Sequence, residues 1–399
     1  MSEIRDIPEH WEVKKLGDVI DKLSLNKIKI KQRDYLQQGK FPVVDQGQAL
    51  IGGYFNDENF VVPSEPPYII FGDHTKVKKL INFKFIAGAD GVKVLKPKSN
   101  IDPRFLYYAI HTIKIDDKGY ARHFQLLEKS DIPLPPLPEQ QAIVAKIEEL
   151  LSELDNGKQQ LQTALQQLKV YRQSLLKWAF EGKLTNKDVK EGELPDGWKW
   201  VKLNEICKII GGVTKGKDYK NQKTIPLPYL RVANVQDGYL DLRTIKEIDV
   251  LPTDLDKYRL IYGDILYTEG GDKDKLGRGT IWKNEIDNCI HQNHIFRARP
   301  LSETSNSKYI AYFSQTRVAK SYFYKNGKQT TNLASINLKV LSGLPVPLCS
   351  QNEQQLIVDE LESKLTLCDN VEETIKLSLQ QAETLRQSIL KKAFEGKLV

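Results

Sequence analysis

A stripe spaced by four and three residues runs through Val144, Ile147, Leu151, Leu154, Lys158, Leu161, Leu165, Leu168, Arg172, Leu175 and Ala179, apolar except at Lys158 and Arg172. A second runs through Val358, Leu361, Leu365, Cys368, Glu372, Ile375, Leu379, Ala382, Arg386, Ile389 and Ala393, broken by charge only at Glu372 and Arg386. Sustained over five heptads, this period predicts a long helix with a coiled-coil seam. PLPPLP at 133–138 precedes the first run, and Ser350-x-x-Glu353 opens the second as a capping box. Asp155-Asn156-Gly157 offers a turn that would fold the first run into a hairpin. The seam keeps its phase there, and the second run reads Asp369-Asn370-Val371 at the matching place, so one helix per run is expected. About 43 residues at 1.5 Å each give roughly 64 Å.

The two runs are copies. Arg172-Gln-Ser-Leu-Leu-Lys-Trp-Ala-Phe-Glu-Gly-Lys-Leu184 repeats at 386–398 with an offset of 214, and the same offset aligns Glu139-Gln140-Gln141 with Glu353-Gln354-Gln355. It also aligns Ile132-Pro133-Leu134 with Val346-Pro347-Leu348, so about fifty residues are duplicated in register. A second block opens each half: IPEHWEVKKL at 7–16 matches LPDGWKWVKL at 194–203, with an offset of 187. Between these blocks the halves show little resemblance, and the second holds 27 more residues. The pattern is a repeated framework around two diverged interiors. Gly182 and Gly396 stand where a helix-stopping glycine belongs, and the entry after 182–184 resembles the opening at residue 7, so the sequence is nearly circular and its termini are expected to lie close together.

Antiparallel pairing of the two helices would create a pseudo-two-fold axis. Lys158 and Glu372 are equivalent breaks in the seams, one acidic and one lysine, and the expectation is a register-fixing ion pair between them. The expected divisions are 1–136 and 185–349 for the interiors with their entry segments, and 137–184 and 350–399 for the helices.

Composition narrows the class. The chain is 40% hydrophobic and 28% charged, and no run approaches the 18 apolar residues a membrane span needs. Its opening residues MSEIRDIPEHWEVKK are charged, unlike a targeting peptide. Cys207, Cys289, Cys349 and Cys368 lack CxxC spacing, which argues against zinc or a disulfide framework and suits a reducing cytoplasm. A net charge of +7 permits nucleic-acid binding without demanding it.

Three segments invite catalysis and fail on inspection. Gly211-x-x-x-x-Gly216-Lys217 has Asp218 where a P-loop needs Ser or Thr. Glu65-Pro-Pro-Tyr68 has the wrong first residue for an amino-methyltransferase signature, and no Gly-rich cofactor loop accompanies it. His291-x-x-His294 lacks further ligands at metal spacing, so core or surface histidines fit better.

Basic residues concentrate in the two interiors. Lys27, Lys29, Lys31 and Arg33 alternate with Ile28 and Ile30, which on a strand puts all four on one face. Lys76 and Lys78 repeat the alternation after Asp73-His74. In the second half Lys215 and Lys217, then Lys273, Lys275 and Arg278, then Lys328 and Gln329 sit in glycine-containing loops able to lie along phosphates. One such stretch is a solvated lysine face; several confined to two variable interiors point to DNA. A coiled-coil scaffold with two peptide- or carbohydrate-binding modules fits the same residues without DNA.

The motif order resembles the specificity subunits of type I restriction-modification systems: Ile132–Gln141 and Val346–Gln355 as helix entries, 179–184 and 393–398 as helix ends, the openings at 7–16 and 194–203, and Gly263-Asp-Ile-Leu266 with Gln292-Asn-His294 in the second interior. VPLCSQNEQQ departs in lacking the second proline pair. The resemblance implies an α+β chain with two α/β target recognition domains separated by an antiparallel coiled coil. It implies a non-catalytic, cytoplasmic DNA-binding subunit reading an asymmetric bipartite site, with the coiled coil as spacer. Its partners would be double-stranded DNA, two modification (methyltransferase) subunits and restriction subunits, and no membrane. It would bind no cofactor itself; S-adenosylmethionine, ATP and magnesium would sit on the partners.

Overall fold

The computed structural model describes residues 7–25, 28–88, 91–115, 122–186, 188–190, 192–216, 219, 222–271, 276–301, 305–329 and 334–399. The chain divides into two compact units, Met1–Gln162 with Lys376–Val399, and Thr163–Ile375.

Both seams form as single helices, Leu137–Phe180 and Gln351–Phe394, each of 44 residues and continuous through the Asp155-Asn156-Gly157 turn signal. None of the twenty-two seam positions is exposed. Each helix ends alike. Gly182 and Gly396 have φ of +76° and +67°, and Lys183 N and Lys397 N reach back to the carbonyls of Trp178 and Lys392, the six-to-one bond of a glycine-terminated helix. A Cβ on Gly182 would lie 2.2 Å from Pro195, and one on Gly396 would lie 2.3 Å from Pro8. The helix end at Gly396 therefore lies against the opening block at Pro8 and Trp11.

Within each unit the helix segments run antiparallel. In the first, Arg386 bonds Asp155 at 3.0 Å and Lys158 bonds Glu383 at 3.2 Å, one number rising as the other falls. In the second, Arg172 contacts Asp369 at 2.7 Å and Glu372 at 3.1 Å. Lys158 and Glu372, expected to pair with each other, each have an ion partner inside their own unit. The two arginine–aspartate pairs are equivalents under the repeat. The capping box needs correction. Ser350 Oγ accepts from Glu353 N at 3.3 Å, but the Glu353 carboxylate is taken up by Trp198, Thr185 and Asn186.

The interiors diverge in sequence and agree in topology. The first has a four-stranded antiparallel sheet in the order Ile20–Lys22, Val92–Pro97, Tyr68–Gly72, Lys78–Ile81, and a three-stranded sheet in the order Gly53–Phe55, Phe41–Val44, Ile86–Ala87 whose last pairing is parallel. The second has Cys207–Gly211, Ile295–Pro300, Ile265–Thr268, Gly279–Ile281 and then Lys246–Val250, Ile225–Leu230, Ile290–His291, with the same pairing directions. It adds a small sheet of Gly270–Gly271, Ala334–Ser335 and Lys328–Gln329. The all-buried strand YIIFG explains the layering. Ile69 and Phe71 pack with Phe105, Val144 and Phe394, while Tyr68 and Ile70 pack with Val44, Phe85 and Ala87. A strand apolar at every position is a strand covered on both faces.

Candidate nucleic-acid interface

The repeated Glu-Gln-Gln motif is the joint that holds each interior to its helix. Glu139 accepts from Trp11 Nε1 at 2.9 Å and Glu353 from Trp198 Nε1 at 3.1 Å, which ties each opening block to the helix entry. The next residue goes inward: Gln140 is 1% exposed and Gln354 is 0%. Gln140 Oε1 accepts from Asp102 N at 2.8 Å and its Nε2 donates to Pro135 O at 2.9 Å. Gln354 does the same with Asn306 N at 2.8 Å and Cys349 O at 3.0 Å. Asp102 and Asn306 cap the helices Pro103–Thr112 and Ser307–Ser314, which carry Phe105 and Tyr309 against Phe394 and Phe180. One set of bonds, used twice, fixes two unlike modules.

The basic segments of the two modules occupy corresponding places. Ile30 bridges Gly88 in parallel and Val213 bridges Gln292 in parallel, so the segments 29–33 and 213–216 are equivalents. The hairpin loop after Tyr68–Gly72 corresponds to the one after Ile265–Thr268: Gly72 N bonds Val77 O as Thr268 N bonds Arg278 O. In the first module the two segments converge. Lys29 Nζ lies 3.3 Å from Val92 O, and a Cβ on Gly91 would touch both His74 and Gln46. In the second, Asn293 N bonds Val213 O and Glu269 N bonds His294 O, which joins the 213–216 segment to the hairpin through Gln292-Asn293-His294.

Lys29, Lys31 and Arg33 are exposed, but not on a strand. Gln32–Asp34 is a 3-10 turn and Arg33 sits 3.7 Å from Asp34, so the expected one-faced alternation ends after Ile30. His74 and Lys76 are half-buried in the hairpin turn, Lys76 with φ of +58°. Lys78 faces elsewhere: its cross-strand partner Phe71 shares a core cluster with Phe105 of the helix Pro103–Thr112, and burial lowers the Lys78 pKa to about 8. Lys215 and Lys328 are exposed, and Arg278 Nη1 bonds Gln236 Oε1 at 3.1 Å. Gln329 lies in the strand Lys328–Gln329. Lys27, Lys217, Lys273 and Lys275 fall outside the described residues.

Acids described in these loops are each held by a basic side chain: Asp45 by Lys79 and Asp73 by Lys93, both at 3.7 Å, with Glu269 by His294 and Asp237 by Lys320. His291 is a core histidine, with Nδ1 2.8 Å from Ile295 O and burial pushing its pKa down to about 3. Among the described residues no group of His, Cys, Asp and Glu is placed to hold a metal, and no helix is long and apolar enough to cross a membrane. Sequence reasoning passed over Gln46, Lys79, Arg231 and Gln236. Gln46, Arg231 and Gln236 follow the central strand of a three-stranded sheet and Lys79 sits in an edge strand, positions that no local pattern announces.

The sequence matches the type I restriction modification DNA specificity domain over residues 8–166 and again over 195–381. It is 31% identical over 271 residues to the type I restriction enzyme EcoKI specificity subunit of Escherichia coli strain K12, a match covering 67% of this chain and 58% of that one. It is 30% identical over 332 residues to the EcoBI specificity subunit of Escherichia coli, covering 77% and 68%. The HsdS subunit from Thermoanaerobacter tengcongensis shares its fold, with a TM-score of 0.60 at 21% identity over 98% of both chains. A chain from a study of complex assembly and conformational transition of the type I R-M system gives 0.68 at 20% identity over 98% of this chain and 99% of that one. Each of the two matches to the specificity domain, 8–166 and 195–381, takes in one opening block, one variable interior and one helix entry, and together they span most of the residues. The chain therefore belongs to the type I restriction-modification DNA specificity family.

Proposed function

We propose that this chain is the non-catalytic subunit that selects the DNA target of a type I restriction-modification complex in the cytoplasm. Each module reads one half of a split, asymmetric site, and the two long helices set the length of the unread spacer. Two modification subunits dock on the repeated framework, restriction subunits join them, and S-adenosylmethionine, ATP and magnesium are bound by those partners rather than here. The observation that carries this reading is the duplication itself. Two modules share strand order and framework bonds while their loop residues differ, as expected if one architecture presents two different sets of base-reading side chains.

Phosphate contacts from the exposed lysines would supply affinity that falls with salt, by roughly 0.9 log unit per log salt for each contact. Base-edge contacts would add about 1–3 kcal/mol of discrimination per base pair. Exchanging residues 17–131 for the corresponding segment of another family member tests the reading: one half-site changes and the other is kept. A change in both half-sites would refute modular recognition. Duplex binding that ignores salt would favour the scaffold with two peptide- or carbohydrate-binding modules.

A further inference from the structure

We infer that the loop at residues 45–51 is the base-reading finger of the first module, with Gln48 and Leu50 at its tip and the buried Lys79 as its positioning residue. The inference rests on the DNA-recognition reading above and assigns its specificity to residues.

The loop leaves the central strand Phe41–Val44 of the three-stranded sheet. Its tip has no apolar anchor: Gly47, Gln48, Ala49 and Leu50 are all exposed, Leu50 at 50%. An apolar side chain raised on an unanchored loop would ordinarily fold back, yet this loop is pinned at its base by polar bonds. Lys79 is only 5% exposed, and its ammonium donates to Asp45 O at 2.8 Å and Ala49 O at 2.5 Å. Thr75 Oγ1 donates to Gln46 O at 2.7 Å, and Gly52 N to Val43 O at 2.8 Å closes the neck. Asp45, the one acid in the loop, is met by the same lysine at 3.7 Å. Burying an ammonium is costly unless its hydrogen bonds are satisfied. Here that cost fixes the shape of a loop that supports no core.

The result is an electrically neutral tip bearing one amide and one branched apolar side chain. Glutamine pairs with adenine through N6 and N7, and an apolar group packs on the thymine methyl or wedges a base step. The second module repeats the device with other residues. The loop after Ile225–Leu230 lifts Tyr239, 61% exposed, and is held by Arg278 on Gln236 and by Gly238 N on Gly279 O at 2.9 Å. Arg278 lies two residues before Thr280, the counterpart of Lys79 in strand register.

The test selects bound duplexes from a random-sequence pool, using the full chain assembled with modification subunits. Wild type enriches a split motif. Gln48→Ala and Leu50→Ala should lower the preference for the favoured base at one or two positions of a single half-site by roughly 5- to 150-fold, the range of a 1–3 kcal/mol contact. Lys79→Met should blur that same half-site and leave the other half-site and the salt slope as they are. A merely structural lysine would instead weaken binding to all sequences together, and that outcome overturns the assignment. Unchanged preferences in the two tip variants, which sit on exposed positions and leave the core intact, overturn it as well. If wild type enriches no split motif, the DNA-recognition reading fails and the finger fails with it.

Discussion

Gln140 gives the sharpest test of how the framework holds a module. Replacing it with alanine strands two buried groups at once, the backbone N–H of Asp102, whose carboxylate caps the helix Pro103–Thr112, and the Pro135 carbonyl. A buried polar group left without its partner costs about 1–3 kcal/mol. Two such groups, only partly reachable by water, set the expected loss at about 3 kcal/mol. In a unit of this size each kilocalorie moves the melting temperature by about 2–4 °C, so the transition of the unit containing residues 1–162 should fall by roughly 6–12 °C. Gln141→Ala is the matched control, since the neighbouring side chain is exposed and should shift stability by less than about 0.5 kcal/mol. Thermal and urea unfolding of the full chain, followed by far-UV circular dichroism, reads both variants. Equal midpoints for Gln140→Ala and Gln141→Ala would refute the argument that this buried amide is the joint.

Other consequences are as direct. His291 is held neutral by burial at a pKa of about 3, below its ordinary 6.5, so between those values the unfolded chain binds a proton that the folded chain refuses. Stability should therefore be full above pH 6.5 and fall on acidification by about 1.4 kcal/mol per pH unit; His291→Gln should flatten that slope between pH 6.5 and 5, and an unchanged slope would count against it. A double-mutant cycle on Arg172 and Asp369 should give a coupling of about 0.5–1 kcal/mol that shrinks in 1 M salt, as for a half-exposed pair; no coupling would show that the seam register does not depend on it. Lys31→Ala should weaken duplex binding equally for all sequences and reduce the salt slope by about 0.9, whereas a sequence-dependent loss would make Lys31 a base reader.

The framework was legible in the sequence because both copies need the same bonds. Trp11 and Glu139, or Trp198 and Glu353, are retained together in the two halves since each side chain is the other's partner. The long seams were legible for a similar reason, as a 4–3 period survives wherever a helix must bury one stripe. The expected Lys158–Glu372 pairing came from equivalence under the repeat, and equivalence is not proximity. In an antiparallel pair the residue facing 158 is set by register at 383, eleven positions from the one the offset names. Module topology was invisible because sheet order depends on distant pairings such as Ile30 with Gly88, and such pairings leave no periodic trace. Lys79 was hidden for an opposite reason: a lysine in a strand reads as solvated until the carbonyls of a loop some thirty residues away are seen around it.

The meeting of Gly396 with Pro8 has a consequence for the order in which the molecule is made. The unit that begins the chain lacks part of its core until residues 376–398 have been synthesised, for Ile389, Leu390, Ala393 and Phe394 fill it beside Phe105 and Val144. The unit from Thr163 to Ile375 is contiguous and can close as soon as it leaves the ribosome. Domains generally fold in the order they are translated. Here that order is inverted, and for the time it takes to translate the whole second unit the first waits with an open groove in its core. Truncation or stalling near residue 375 should accordingly expose the N-terminal unit to aggregation and proteolysis while leaving the later-made unit folded.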